Sequence, residues 1–315
     1  MIVGLIVRGR ELHYSLSMSN DADGRRSAAS DLGRPTLLRG EDWYHHPKWY
    51  DVLHWPGTMA ECRGLERIAR RFAGCTRGGP VFAFEPGCGT ARHLRGLARR
   101  GHRGVGLDLA EPMLEYGRRR LERNGAANAV RLVAGDMTDF APADVLPEDA
   151  ADSAPGFDLA FCLANSVRHL PSDDAFVRHL RCVADVLRPS GVYALGLGLT
   201  VYGLEEESED IWRGSRGSLS VTQMVQYLPA EAESRTERVV SQLAVNRPQG
   251  EVFVEHGYDL RSYDGPQFAA ALEAAGMQVV GAVDEEGWDL EWAGEPDAWR
   301  GGEWMGYAVW LLRPG

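Results

Sequence analysis

Val81-Phe82-Ala83-Phe84-Glu85-Pro86-Gly87-Cys88-Gly89-Thr90-Ala91-Arg92 is the most informative stretch of this 315-residue chain. Its apolar run, Val81 to Glu85, reads as a buried strand. Two glycines follow at once, and 90–100 then reads as a helix. A strand–glycine turn–helix unit brings backbone N–H groups and a helix N-terminus close to a ligand, and a side chain at either glycine would fill the ligand's space.

Outward from this unit the alternation continues. Residues 104–109 read as a second strand, 111–123 as a helix, 130–134 as a third strand and 157–163 as a fourth. Ser172 is a natural N-cap, with Asp173 and Asp174 in a favourable first turn. Phe176, Leu180, Val183 and Leu187 continue that helix until Pro189-Ser190-Gly191 ends it, and 192–197 is a fifth strand. Strands alternating with helices predict a doubly wound α/β fold with a mostly parallel seven-stranded sheet. Beyond strand five, 205–217 is acidic and reads as a solvated loop. Three alternating stretches at 218–228, 237–246 and 251–260 predict an antiparallel β insertion. A helix at 264–275 and strands at 277–283 and 306–312, the last antiparallel, complete the sheet.

This gives a domain over 41–315: an aromatic N-terminal lid at 41–75, a core at 80–200, a covering insertion at 205–262, and 263–315 to finish the core. Residues 1–40 read as a segment without fixed structure. Within it, Ile2–Val7 fits no secretory leader, and Met18 offers an alternative start.

Net charge is −11, which disfavours nucleic acid as a partner. Lys48 is the only lysine among 34 basic residues, so arginine clusters carry little meaning here. Five widely spaced cysteines, with no Cys-x-x-Cys, fit reduced thiols in a cytoplasmic protein and suggest no structural metal. No apolar run approaches the roughly 20 residues that span a bilayer. The oligomeric state is left open.

Asp108 ends the second strand, 23 residues after Glu85, and Gly135-Asp136-Met137 closes the third. Ligands of such sheets bind outside the carboxyl ends of the strands, so Glu85, Asp108 and Asp136 are expected at one crevice. The ordered set of Glu85-x-Gly87-x-Gly89, Asp108 and Gly135-Asp136 resembles the class I S-adenosylmethionine-dependent methyltransferases, specifically over 81–199. The resemblance implies S-adenosylmethionine as cofactor. Glu85 would face its methionine portion, with Gly87, Cys88 and Gly89 beneath it and Asp108 with Leu109 at the ribose. Met113, Asp136 and Met137 would lie around the adenine, and Leu163 at the transfer site. The usual third glycine is Ala91, small enough for helix–strand packing.

Bland readings stand beside these. Met113 reads equally well as a core methionine, Cys88 and Cys162 as buried fillers, and Arg118–Arg123 as the wet face of a helix. Tyr44, Tyr50, Asn165, His169 and His256 are the substrate-binding candidates. His169, His256 and Tyr50 are also the candidates for catalysis, although each histidine is more often a packed or surface residue. Aromatic faces at 43–55 suit a sulfonium by cation–π attraction.

The expectation is therefore an enzyme moving a methyl group to a small molecule with a nitrogen or oxygen nucleophile. The absence of Asn/Asp-Pro-Pro-Tyr after strand four, where Leu163-Ala164-Asn165-Ser166 stands, argues against nucleic-acid methylation. A nicotinamide oxidoreductase needs Gly at 92, which is Arg92. A non-catalytic partner subunit is the third reading.

Overall fold

The computed structural model describes residues 36–39, 43–147, 156–290 and 298–315. In chain order the strands are β1 (Thr36–Arg39), β2 (Phe82–Pro86), β3 (Arg103–Asp108), β4 (Val130–Ala134), β5 (Phe157–Cys162) and β6 (Leu187–Leu199). They continue as β7 (Ser208–Arg216), β8 (Leu219–Leu228), β9 (Thr236–Arg247), β10 (Gly250–Arg261), β11 (Met277–Val283) and β12 (Gly306–Pro314). The helices are α1 (Pro47–His54), α2 (Thr58–Phe72), α3 (Arg92–Ala98), α4 (Glu111–Arg123), α5 (Pro142–Val145), α6 (Asp173–Val186) and α7 (Gly265–Ala275).

The main sheet runs β11-β12-β6-β5-β2-β3-β4. Its five central and right-hand strands pair in parallel, and β12 lies antiparallel between β11 and β6. Both faces are covered. On one, Phe176 and Leu180 of α6 and Phe268 and Leu272 of α7 join the core. On the other, Leu65 and Ile68 of α2, Leu94 and Leu97 of α3 and Leu114 and Leu121 of α4 do so. Strand order reverses between β5 and β3 across β2, so a crevice opens beyond the end of β2.

Helix starts follow local chemistry. The Ser172 hydroxyl accepts from the Ala175 N–H at 3.2 Å. Asp264 and Gln267 form a reciprocal capping box, and Gly276, at φ +68°, closes α7. The helix after the glycine turn is shorter than the 90–100 expected, because Ala91 stands in the left-handed region at φ +54° and α3 begins only at Arg92.

Pro189-Ser190-Gly191 does not end α6. The helix stops at Val186, and β6 starts directly at Leu187, five residues before the strand expected at 192. The pairing with β5 jumps from Phe157↔Leu187 to Leu159↔Val192, so the Pro-Ser-Gly segment is absorbed as a bulge inside the strand.

The second sheet runs β1-β10-β9-β8-β7. The three expected insertion strands are β8, β9 and β10; both edges are new. The acidic stretch read as a loop contains β7, an edge strand whose carboxylates face solvent, which is how a sheet edge tolerates such residues. Thr36–Arg39, inside the segment expected to lack structure, pairs in parallel with β10. The remainder of that expectation, residues 1–35 and 40, lies outside the described residues. So do 148–155 and 291–297. Trp299 and Trp310 pack into the core with ring centroids 5.0 Å apart.

Helix α1 lies against this second sheet. Val52 and Leu53 are buried on Leu219, Val221, Leu243 and Val245, and a Cβ at Gly214 would overlap the Val52 carbonyl. Asp51, fully buried on the opposite side of α1, ties several elements together. It pairs with Arg95 of α3 and with Arg216 at the end of β7 (2.8 Å), and it accepts from Thr90 (3.2 Å) and from Tyr116 of α4 (3.1 Å). Burial alone would raise its carboxyl, but Arg95 and Arg216 hold it below the ordinary carboxylate value. Asp51→Ala leaves the buried Arg95 uncompensated and is expected to cost about 3–5 kcal/mol in chemical denaturation. The folded-state value is depressed, so this contribution is present above the unfolded carboxylate value and lost as pH falls through the folded one. The gap between wild type and variant should narrow in acid.

Candidate functional site

The crevice at the end of β2 is a cleft of about 460 Å³, within the roughly 300–1,000 Å³ of small-molecule sites. One wall is Gly87, Gly89, Asp108 and Leu109–Pro112; the other is Tyr44, His45 and Tyr50; Gly135, Met137, Ser166 and His169 close the ends. A smaller cavity of about 30 Å³ adjoins it, lined in part by Glu85, Cys88, Leu163 and His93. Tyr50, Gly87 and Ser166 line both.

Gly87 and Gly89 have φ of +71° and +52°, the region that favours glycine. A Cβ at Gly87 would meet nothing nearer than Met137 Sδ at 3.8 Å, so the space in front of it is open to a ligand. Asp108 braces this loop: Oδ2 accepts from the Gly89 N–H at 2.6 Å and Oδ1 from the Ala110 N–H at 2.8 Å. Burial pushes its carboxyl above the ordinary value, and those two N–H donors pull it partly back. Each oxygen keeps a lone pair for a ligand hydroxyl.

Glu85, 6% exposed, receives His93 Nδ1 on Oε1 at 2.6 Å. Its Oε2 is buried without a hydrogen-bond partner among the described residues. A buried, half-satisfied carboxylate beside an open glycine turn suits a cationic ligand group.

Tyr50 has its phenol pushed up to about 12 by burial, with Arg92 opposing and Asp108 and Glu85 adding, so it stays protonated as a donor. Its neighbour His54, 4.4 Å away between ring centroids, is pulled down to about 3 by burial, with Arg92 adding, and is neutral. His169 is exposed on the short turn Ser166–His169 and stacks on Tyr258 of β10 at 5.4 Å. The preceding Arg168 holds that turn to the second sheet through the Arg261 carbonyl, Ser262 and Glu237, each at 2.9 Å.

Of the sequence-derived candidates, the cleft brings together Tyr44, Tyr50, Gly87, Gly89, Asp108, Leu109, Met137 and His169. Glu85, Cys88 and Leu163 lie on the smaller cavity. Met113 is fully buried under Gly89. Asp136 is exposed, and its Oδ1 accepts from Thr138 N–H and Oγ1 at 2.7 and 2.9 Å; its neighbours Gly135 and Met137 reach the cleft instead. Asn165 accepts the Gly198 N–H at 2.7 Å, tying β6 to the loop after β5. His256 stacks on Tyr258 at 5.8 Å, one ring beyond His169.

Besides His93, three supporting residues escaped the sequence reading. Glu61 of α2 holds His93 Nε2 at 2.6 Å. His179 of α6 donates to the Met137 carbonyl at 2.9 Å and accepts from Tyr193 at 2.7 Å, and burial keeps it neutral near a pKa of 4. Their partners lie 32 and 42 residues away, beyond any local spacing rule. Asp51 is the third. Among the described residues no group of three His, Cys, Asp or Glu side chains is placed to hold a metal, and no helix is long and apolar enough to cross a membrane.

Residues 83–191 match the family model described as a methyltransferase domain. Over that stretch the chain is similar to methyltransferase domains, and its fold is that of S-adenosylmethionine-dependent methyltransferases. Solved structures share the fold. DesVI of Streptomyces venezuelae aligns with a TM-score of 0.60 at 20% identity, covering 86% of this chain and 98% of that one. The sugar N-methyltransferase KedS8 of a Streptoalloteichus species gives 0.58 at 20%, over 94% and 100%. A S-adenosylmethionine-dependent methyltransferase of Clostridium acetobutylicum gives 0.58 at 13%, over 80% and 91%. No curated protein matches by sequence.

Asp108→Ala removes the brace of the glycine turn and the buried carboxylate that lines the cleft. Calorimetry is expected to show S-adenosylmethionine binding weakened about 10- to 100-fold, from ~1.5–3 kcal/mol for a charge-assisted hydrogen bond. Gly87→Val strains a positive φ and projects into the cleft, and should abolish binding while the circular dichroism of the fold persists. Unchanged affinity in both variants would move the cofactor elsewhere.

Proposed function

We propose that the enzyme transfers the methyl group of S-adenosylmethionine to a nitrogen or oxygen of a small molecule, by in-line displacement within the cleft. The observation that carries this reading is the meeting of two sets of side chains in one cavity: the glycine turn with Asp108 on one wall, and Tyr44, Tyr50 and His169 across from it.

The cofactor supplies a methyl carbon already activated by a positive sulfur. The protein's task is alignment and water exclusion. In this reading Glu85 Oε2 takes the ammonium of the methionine portion, Asp108 the ribose hydroxyls, and the Met137 loop the adenine edge. Tyr44 and Tyr50 close over the reacting centre, their rings 6.1 Å apart. As the acceptor's nitrogen or oxygen bonds to the methyl carbon, the carbon–sulfur bond breaks and the acceptor releases a proton. His169 is the residue we assign to receive it, because it alone of the two candidate histidines lines the cleft. Tyr50, with its phenol near 12, serves as a donor and not as a base. KedS8 is described as a sugar N-methyltransferase, and an amine- or hydroxyl-bearing small molecule of that size class suits a cleft of this volume.

The test is product formation. Purified enzyme with S-adenosylmethionine and a panel of amino sugars, amines and phenols should yield S-adenosylhomocysteine with at least one small acceptor. His169→Ala should lower kcat by about 10²-fold or more on a hydroxyl acceptor, with cofactor affinity unchanged. Turnover confined to proteins or polymers would overturn the small-molecule reading, and an unaltered kcat would remove His169 from the mechanism.

A further inference from the structure

The cavity beside Glu85 is backed by a chain of buried ionisable groups that the reaction itself does not use. His93, on the first turn of α3, is 4% exposed and stands between two carboxylates. Nδ1 meets Glu85 Oε1 and Nε2 meets Glu61 Oε2, both at 2.6 Å. Glu61 also receives Arg92, whose guanidinium reaches Thr58 at 2.9 Å. The Phe161 ring packs edge-on against the imidazole at 5.6 Å, and Cys62 Sγ donates to the His93 carbonyl at 3.4 Å.

The proton count of this chain is decisive. An ionised carboxylate only accepts hydrogen bonds, and a neutral imidazole carries a single N–H. With a carboxylate on each ring nitrogen, both contacts are made at once when the ring is the doubly protonated imidazolium. The cluster then holds two negative charges, on Glu85 and Glu61, and two positive ones, on His93 and Arg92. Losing the His93 proton leaves one carboxylate facing a bare nitrogen lone pair in a buried site, which forces Glu85 or Glu61 to turn away or take up a proton.

We propose that His93 is a positioning residue for cofactor binding: as a cation clamped between Glu61 and Glu85, it fixes the Glu85 side chain so that its second oxygen stays presented to the ligand's ammonium. Its role is indirect, since it touches Glu85 and not the cofactor. This rests on the placement of the methionine portion at Glu85. Burial and the adjacent Arg92 pull the imidazole's pKa down, but Glu85 and Glu61 outweigh them and the net shift is upward. The other titratable groups facing the cluster are Tyr50 and His54 from α1, Cys62 from α2, Cys88 of the glycine turn, Cys162 at the end of β5, Tyr307 from β12 and Glu285 from the loop after β11; burial pulls the histidine down and pushes the others up.

A raised histidine pKa places the effect on the alkaline side. Cofactor affinity is full while His93 is protonated and falls as pH rises through its folded value. The experiment is calorimetric titration of the full chain with S-adenosylhomocysteine from pH 6 to 9.5. The ligand's own ammonium also titrates in alkali, so the reading lies in the difference between wild type and variants. His93→Gln should bind at least fivefold more weakly at neutral pH and lose the component of the alkaline decline that wild type shows. Glu61→Gln removes the outer carboxylate, leaves a neutral His93 free to donate to Glu85, and should remove the His93-dependent part of the alkaline decline. Nitrogen-15 spectra of the wild-type imidazole should report both ring nitrogens protonated at neutral pH.

A folded His93→Gln with wild-type affinity and the same alkaline profile overturns the proposal. If that variant does not fold, Glu61→Gln with an unmoved profile, or a neutral imidazole in the nitrogen spectrum, overturns it equally. Absence of any S-adenosylhomocysteine binding by wild type would instead count against the placement of the cofactor.

Discussion

The buried carboxylate of Asp51 is the contact on which the rest of the architecture depends. It sits on a helix of only eight residues, too short to be stable by itself. That helix holds its place because its apolar side is buried on the second sheet and its single acid is met by the glycine-turn loop, α3, α4 and the end of β7. Tyr50 is the residue immediately before Asp51. The position of the cleft's aromatic wall is therefore set by an ion pair one residue away, and α1, α3, α4, the glycine turn and the end of β7 meet at one buried carboxylate.

The elements that could be read from sequence were those whose signal is local. The glycine turn, Asp108 at a strand end and the capping box at Asp264 each show within a few residues of chain. The alternation of Val239, Leu243 and Val245 marked β9 for the same reason, since alternate side chains face inward, Leu243 and Val245 onto α1 and Val239 onto Val225 and Leu260. Strand β7 was not legible because its apolar residues, Ile211 and Trp212, are exposed neighbours on an acidic edge and leave no period of two. β1 is four residues long and owes its existence to β10. Within the site, residue types at strand ends were legible, and their use was not. Asp136 and Met137 are adjacent, yet the backbone of the turn sends one into solvent and the other to the cleft. Glu61, His93 and His179 became visible only when helices from distant parts of the chain were packed together.

The cleft combines rigidity of different origins on its two walls. The β2–β3 wall is braced by backbone N–H groups bound to Asp108 and packed above a fully buried Met113. The facing wall is built from aromatic rings in succession, from Tyr50 to Tyr44 to His169 to Tyr258, which link α1 to the second sheet by stacking and edge contacts. Aromatic contacts of this kind are worth about 0.5–1.5 kcal/mol each. They hold the wall in place yet permit rotation of a ring, a combination that suits a surface meeting acceptor and product in turn.

The pairing of β1 with β10 has a consequence for biosynthesis. Thr36 lies opposite Val252, so the strand that leaves the ribosome first waits for a partner made 216 residues later. At the usual 5–20 residues per second this interval is roughly 10–45 s. During it the parallel core from β2 to β6 can assemble, whereas the second sheet and the α1 helix that leans on it cannot. The nascent chain thus passes through a stage with a finished glycine-turn wall and with Thr36–Arg39 still unpaired. Completion of the second sheet is necessarily a late event, and Thr36–Arg39 offers an open strand to a chaperone while it waits.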